Sequence, residues 1–191
     1  LLLVGNPEHD SEEMKTQKQI ARNLDLAQCT AAEYQEAPCD IILDAVFGIG
    51  LGREIGGEYR KVLEMLASLR EQYGTGVIAV DTPSGIHGTT GEIMGIALEA
   101  DITVTFGFAK TGLLLYPGKY YAGNLVVADI GFPQASLLKA GWDAKLITPD
   151  DLSWLPKRQP DGNKGTFGKV LVIAGSRGMS GVAYFSALGA Y

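Results

Sequence analysis

Short apolar runs, each halting at an acid or a glycine, constrain the fold of this chain more than any other feature. They are IILDAVF at 41–47, VIAV at 77–80, ITVTF at 102–106 and LVVADI at 125–130, with LLLVG at the start and KVLVIA at 169–174. A strand with one face in water alternates apolar with polar residues. Runs that stay apolar at successive positions predict strands covered on both faces, as in a parallel sheet with helices on either side. The expected fold is therefore α/β, a Rossmann-like three-layer αβα arrangement around a largely parallel sheet.

The intervening segments carry helix signals. Asp10 or Ser11 can cap a helix running to about Leu24, with Glu13 completing a capping box if Asp10 is the cap. Tyr59, Val62, Leu63, Leu66 and Leu69 recur at helical spacing, and Gly74 stands where a helix terminus favours glycine. From about Gln134 the periodicity loosens into a mixture of Pro, Gly, Lys and Asp, which reads as a connection. KVLVIA then starts a second α/β unit, with GSRGMSG and the helical pattern VAYFSALGAY behind it. The expected division is 1–145 and 146–191, the second unit being the first strand and helix of a further domain.

With 191 residues and 46% hydrophobic content, the chain can bury a full core. No run approaches the roughly 18 apolar residues of a membrane span, and LLLVGNPEHD lacks the basic flank of a signal peptide. The expectation is a cytoplasmic protein without membrane partners, in which Cys29 and Cys39 stay free. A net charge of −6, from 16 basic and 22 acidic residues, offers no footprint for nucleic acid. An anionic ligand would have to be held locally.

Ligands of open parallel sheets bind beyond the carboxyl ends of the strands. Two runs end there with an acid and a loop, Asp44 before the glycines of FGIGLGRE and Asp81 before TPSG. The acids either share a pocket or each cap the loop after their own strand. Gly48, Gly50 and Gly52 resemble a phosphate cradle or form a plain loop, and Arg53 favours the cradle through its bidentate fork. Lys110 is either a solvated charge or a cation projecting into the same pocket. Two distant histidines, His9 and His87, give no zinc pattern, whereas Asp44, the Ser84 hydroxyl and loop carbonyls suit a hard cation. Ser84 lacks the GxSxG surroundings of a nucleophilic serine.

Taken in order, DAVFGIGLGREIGGEY, VIAVDTPSGI, ADITVTFGFAKTGLLLYPGKYYAGNLVVADIGFP and NKGTFGKVLVIAGSRGMSG resemble the bifunctional NAD(P)H-hydrate repair enzymes. That family joins an NAD(P)HX epimerase domain to an ADP- or ATP-dependent dehydratase domain of ribokinase-like fold. The resemblance implies a chain cut at both ends, lacking the GNNGGDG-type loop before LLLVG and the nucleotide site of the dehydratase. Such a fragment is expected to be inactive by itself. Asp44 and Ser84 match potassium ligands. Gly48, Ile49, Gly50, Leu51, Gly52, Arg53 and Glu54 match the loop that holds hydrated NADH or NADPH. Asp81 matches a substrate-contacting acid, Lys110 a lysine near the reacting ring, and Val182 a position beside the dehydratase loop Gly175 to Gly181. His87 and Val182 depart from the family's usual residues.

The implied chemistry inverts a hydroxyl on the ring carbon beside nitrogen. Asp81 would act as general acid and base and offset an iminium-like cation, with Lys110 orienting it or supplying the proton. Two other readings stand beside this one: a non-catalytic Rossmann-like ligand-binding or interaction module, and a ribokinase-like phosphotransferase. ADP against ATP, the hydrate preferred and homo-oligomerisation are left open.

Overall fold

The structure is a computed structural model that describes residues 1–34, 37–139, 141, 144–154, 157–163 and 165–190. It divides into two compact units, Leu1–Ala144 and Lys145–Tyr191. In the first, β3 (Ile41–Asp44), β4 (Gly76–Val80), β5 (Ile102–Phe106) and β6 (Asn124–Ala128) form a sheet in that spatial order, every neighbouring pair parallel. A second, two-stranded parallel sheet pairs β1 (Leu2–Leu3) with β2 (Cys29–Thr30). The mixed α/β class and the parallel sheet agree with the apolar runs.

Between β3 and β4 runs α2 (Gly57–Tyr73), which forms because its apolar residues recur on one face. Val62, Leu63, Leu66 and Leu69 are buried against Ile42, Val77 and Ala79 of the sheet, and each contributes about 1.5–3 kcal/mol by leaving water. Gly74 ends the helix in the left-handed region (φ 67°), where its N–H donates to the Arg70 carbonyl. Leu51, Ile55, Leu98 and Ala100 complete this core, and Leu2 of the small sheet packs against it with Val4 and Ala31, which follow its strands.

The structure chooses between the two caps expected for the first helix and corrects other local expectations. The cap of α1 (Glu12–Asn23) is Ser11, whose Oγ accepts from the Met14 amide at 3.2 Å. Asp10 instead takes Lys18 Nζ at 2.5 Å, so the box with Glu13 does not form about it. LLLVG yields only a two-residue, half-buried strand. Burial alternates along β3 to β5: Ile42, Val77 and Ala79 are core, while Ile41 and Leu43 are 60% and 65% exposed. Among the described residues, cover is thus heavier on one sheet face than the unbroken apolar runs predict.

After α3 (Gly118–Ala122), β6 and α4 (Gln134–Lys139), the second unit contains a short 3₁₀ turn (Pro149–Trp154) and α5 (Gly181–Ala190). The strand expected at 169–174 is not formed, and Val170, Leu171 and Ile173 are 72–90% exposed. A strand needs a hydrogen-bonded neighbour, and none is paired with this segment among the described residues. Cys29 and Cys39 are both free, and no helix of the described residues is long and apolar enough to cross a membrane.

Candidate active site

Asp44 and Asp81 emerge at the carboxyl ends of adjacent strands, and the turn DTPS after β4 connects them. Asp44 is 1% exposed. Its Oδ1 accepts from Ser84 Oγ at 2.6 Å and the Val46 amide at 3.3 Å, and its Oδ2 accepts from the Ser84 amide at 2.8 Å. Ser84 Oγ in turn accepts from the Phe47 amide at 2.9 Å, which ties the start of the glycine loop to the turn after β4. Asp44 therefore both caps its own loop and bridges to the other. Burial pushes its carboxyl above the usual carboxylate range, against the lowering pull of the Ser84 and Val46 donors. None of the ion pairs among the described residues includes Asp44.

Asp81 adopts φ 68°, one of two non-glycine residues among those described with a left-handed backbone; Asp tolerates this better than most residues. The turn keeps its amide laddered to the Val104 carbonyl at 2.8 Å while swinging the carboxylate toward β5. There Oδ1 accepts from Lys110 Nζ at 2.5 Å, the Phe106 amide at 3.0 Å and Thr105 Oγ1 at 3.3 Å. Lys110 Nζ also donates to the Phe106 carbonyl at 2.9 Å. Burial raises the Asp81 carboxyl, but Lys110, the Phe106 amide and Thr105 together outweigh it, so the group is held below its ordinary range. Oδ2 faces the glycine loop, 3.7 Å from where a Cβ on Gly48 would stand.

The loop after β3 reaches this carboxylate. Ile49 and the stem of Lys110 both lie against Gly88, 3.6 and 3.9 Å from a Cβ built there. At Gly50 and Gly52 a Cβ would meet nothing within 4 Å, and neither has a left-handed backbone, so no packing demand explains the missing side chains. Leu51 is buried in the core and offers the loop only its backbone, while Arg53 and Glu54 are exposed. The structure thus gathers Asp44, Ser84, Gly48, Ile49, Asp81 and Lys110 at one edge of the sheet. Val182 lies in the first turn of α5, in the second unit.

Sequence reasoning missed Thr105 as a site residue and also Thr82, whose fully buried Oγ1 has no hydrogen-bond partner among the described residues. His87 Nδ1 lies 3.2 Å from both the Thr90 amide and hydroxyl, a local turn contact. A cavity of about 550 Å³ lies at the other end of the sheet and is lined by Arg70, Glu99, Asp101 and Tyr121. Arg70 is committed there to a two-pronged pair with Asp101, at 2.6 and 2.7 Å, which makes that charge structural.

An oxygen donor set around a buried carboxylate outside every ion pair of the described residues fits a hard cation, and Ser84 Oγ keeps a lone pair beyond its bond from Phe47. Among the described residues no cluster of His, Cys, Asp and Glu offers an alternative metal site.

Residues 1–112 match the family model described as YjeF-related protein N-terminus. The bifunctional NAD(P)H-hydrate repair enzyme Nnr of Thermofilum pendens is 47% identical over 139 residues, 72% of this chain and 25% of that protein. An NAD(P)H-hydrate epimerase of Limosilactobacillus fermentum is 41% identical over 130 residues, 68% of this chain and 60% of that protein. The chain therefore spans a quarter to three-fifths of the length of these relatives. The crystal structure of yeast ynu0 superposes with a TM-score of 0.56 at 15% identity, over 71% of this chain and 59% of that one, which supports the fold. Because the family model covers more than half of its length, the chain belongs to the YjeF-related N-terminal domain family.

Proposed function

We propose that this chain carries the epimerase domain of a nicotinamide nucleotide repair enzyme, which interconverts the R and S forms of hydrated NADH and NADPH. The observation that carries the reading is the Asp81 carboxylate: one oxygen clamped by Lys110 and β5, the other turned to a glycine loop whose open positions no packing requires. Backbone amides of Gly48 to Gly52, with Arg53 beside them, would hold the dinucleotide phosphates, since absent side chains let an anion approach the main chain. Names of the relatives support the substrate class.

The chemistry follows from the two charges. The nitrogen lone pair expels the neighbouring hydroxyl, which takes a proton from the Lys110 ammonium and leaves as water. The ring passes through an iminium-like cation beside the Asp81 carboxylate, which is ionised at neutral pH and offsets that charge. Water then adds to the opposite face and releases its proton to solvent, from which the lysine amine, held against the carboxylate, takes one back, so that both groups end as they began. Asp44 and Ser84 would hold potassium, which supplies positive charge to a buried carboxylate and fixes both loops.

The finer reading is a bifunctional protein whose second unit begins an ADP- or ATP-dependent dehydratase acting on the S form. Gly175 to Gly181 and Val182 would border that site. The test adds chemically hydrated NADH to the full-length protein, with and without ADP or ATP, and follows both epimers by chromatography. Epimerisation lost in Asp81→Asn with binding retained is the expected result; an unchanged rate in that variant, or no conversion by the native protein, refutes the reading.

A further inference from the structure

Two threonines alternate along β5 on the same buried face, Thr103 and Thr105, both with no exposed surface. A buried hydroxyl costs free energy unless bonded, and valine would fill either place without that cost. Thr103 spends its hydroxyl on structure, donating to the Ala122 carbonyl of α3 at 2.7 Å. Thr105 donates to Asp81 Oδ1 and to no other group among the described residues. Of the three donors on that oxygen, Lys110 hangs on a flexible stem, whereas Thr105 and the Phe106 amide belong to the sheet. A β-branched side chain on a strand is also restricted at its first torsion, so the direction of its hydroxyl is set by the backbone.

We infer that Thr105 is a positioning residue for the reaction proposed above, fixing Asp81 Oδ1 to the sheet so that Oδ2 stays presented to the glycine loop when Lys110 moves its proton. Thr105 touches no reacting atom; it acts by removing the freedom of the carboxylate to rotate. A misdirected carboxylate loses rate more than affinity, because the substrate is held mainly by the loop.

Thr105→Val keeps the shape and deletes the donor, and Thr105→Ser restores the donor. In the full-length protein, Thr105→Val is expected to lower kcat for epimerisation by about ten-fold with KM within about two-fold, as befits one hydrogen bond to a charged group. Thr105→Ser should recover most of the rate. Carboxyl NMR of the substrate-free protein supplies a readout that needs no activity: the Asp81 titration moves upward in Thr105→Val and returns in Thr105→Ser. Native kcat and an unmoved titration in Thr105→Val overturn the inference, as does a serine variant as impaired as valine in both. If the valine variant unfolds, Thr105→Ala against Thr105→Ser is read by the same two criteria. An inactive native protein with a valine-shifted, serine-rescued titration would sink the epimerase reading while upholding the positional role.

Discussion

Ser84→Ala probes the joint on which both loops depend. The hydroxyl donates to Asp44 Oδ1 at 2.6 Å and accepts from the Phe47 amide at 2.9 Å. Its loss removes one hydrogen bond to a buried charge, about 1.5–3 kcal/mol, and leaves a half-buried N–H to find water, about 1 kcal/mol. The expected destabilisation is about 3 kcal/mol, a large part of the roughly 5–15 kcal/mol that holds a domain folded. Urea unfolding of native and variant proteins measures it, provided the slopes agree. Ser11→Ala is an internal standard, because an exposed helix cap should cost only about 1 kcal/mol.

The same variant carries a pH signature. Burial raises the Asp44 carboxyl above its ordinary 3.8, so the folded state takes up its proton first as pH falls. Stability from this group accordingly declines as pH rises from 3.8 through the higher folded value. Once Asp44 is neutral, the deleted donor matters less, and the Ser84→Ala deficit should shrink on acidification. A deficit below about 1 kcal/mol at neutral pH, or one that does not shrink, would show that the carboxylate is rehydrated and the joint is not structural.

Other perturbations separate the remaining contacts. Thr82→Val, which deletes a buried hydroxyl without a partner, should stabilise the protein by about 1 kcal/mol in urea, and a loss would mean the oxygen is bonded after all. Arg70→Gln should remove an acid-side transition: Asp101 is pulled down to about 2 chiefly by Arg70, so its contribution is present above 3.8 and lost as pH falls through about 2. Acid unfolding unchanged in Arg70→Gln contradicts that pair. Potassium should raise the Tm of the native protein by mass action and leave Asp44→Asn unmoved, whereas an equal rise in both places the cation elsewhere.

Much of the sheet was legible because its strands are short, largely apolar runs bounded by acids and glycines, although their two faces are not equally covered. β5 falls on the expected residues and β4 begins one residue early, at Gly76. KVLVIA reads just as well as a strand and does not form one, because pairing is a property of neighbours and not of the segment. The strand-end acids were visible as candidates, as were Ser84 and Lys110 beside them, but which hydrogen bonds join them was not. Asp44 meets Ser84 across 40 positions, and pattern alone left open whether that acid shares a pocket or caps its own loop. Thr105 was hidden by its ordinariness, since threonine in a strand satisfies β-propensity without any further role.

The two acids end in opposite electrostatic states, and the cause is the partner set rather than the amount of burial alone. Asp44 is bonded only to neutral donors, so desolvation prevails and its charge is costly. Asp81 is also desolvated, yet a lysine ammonium and a strand amide face one oxygen, and its charge is favoured. Environments that push paired carboxyls apart divide their work. The acid whose charge is expensive suits a bound cation, and the acid whose charge is secure suits a cationic intermediate. Because Ser84 lies three residues after Asp81 and binds Asp44, one turn holds both arrangements. Asp81 takes its left-handed backbone in the turn that Ser84 anchors to Asp44, so Ser84→Ala should lower the proposed epimerisation rate as well as stability, and a native rate would show that the turn holds its shape without that anchor.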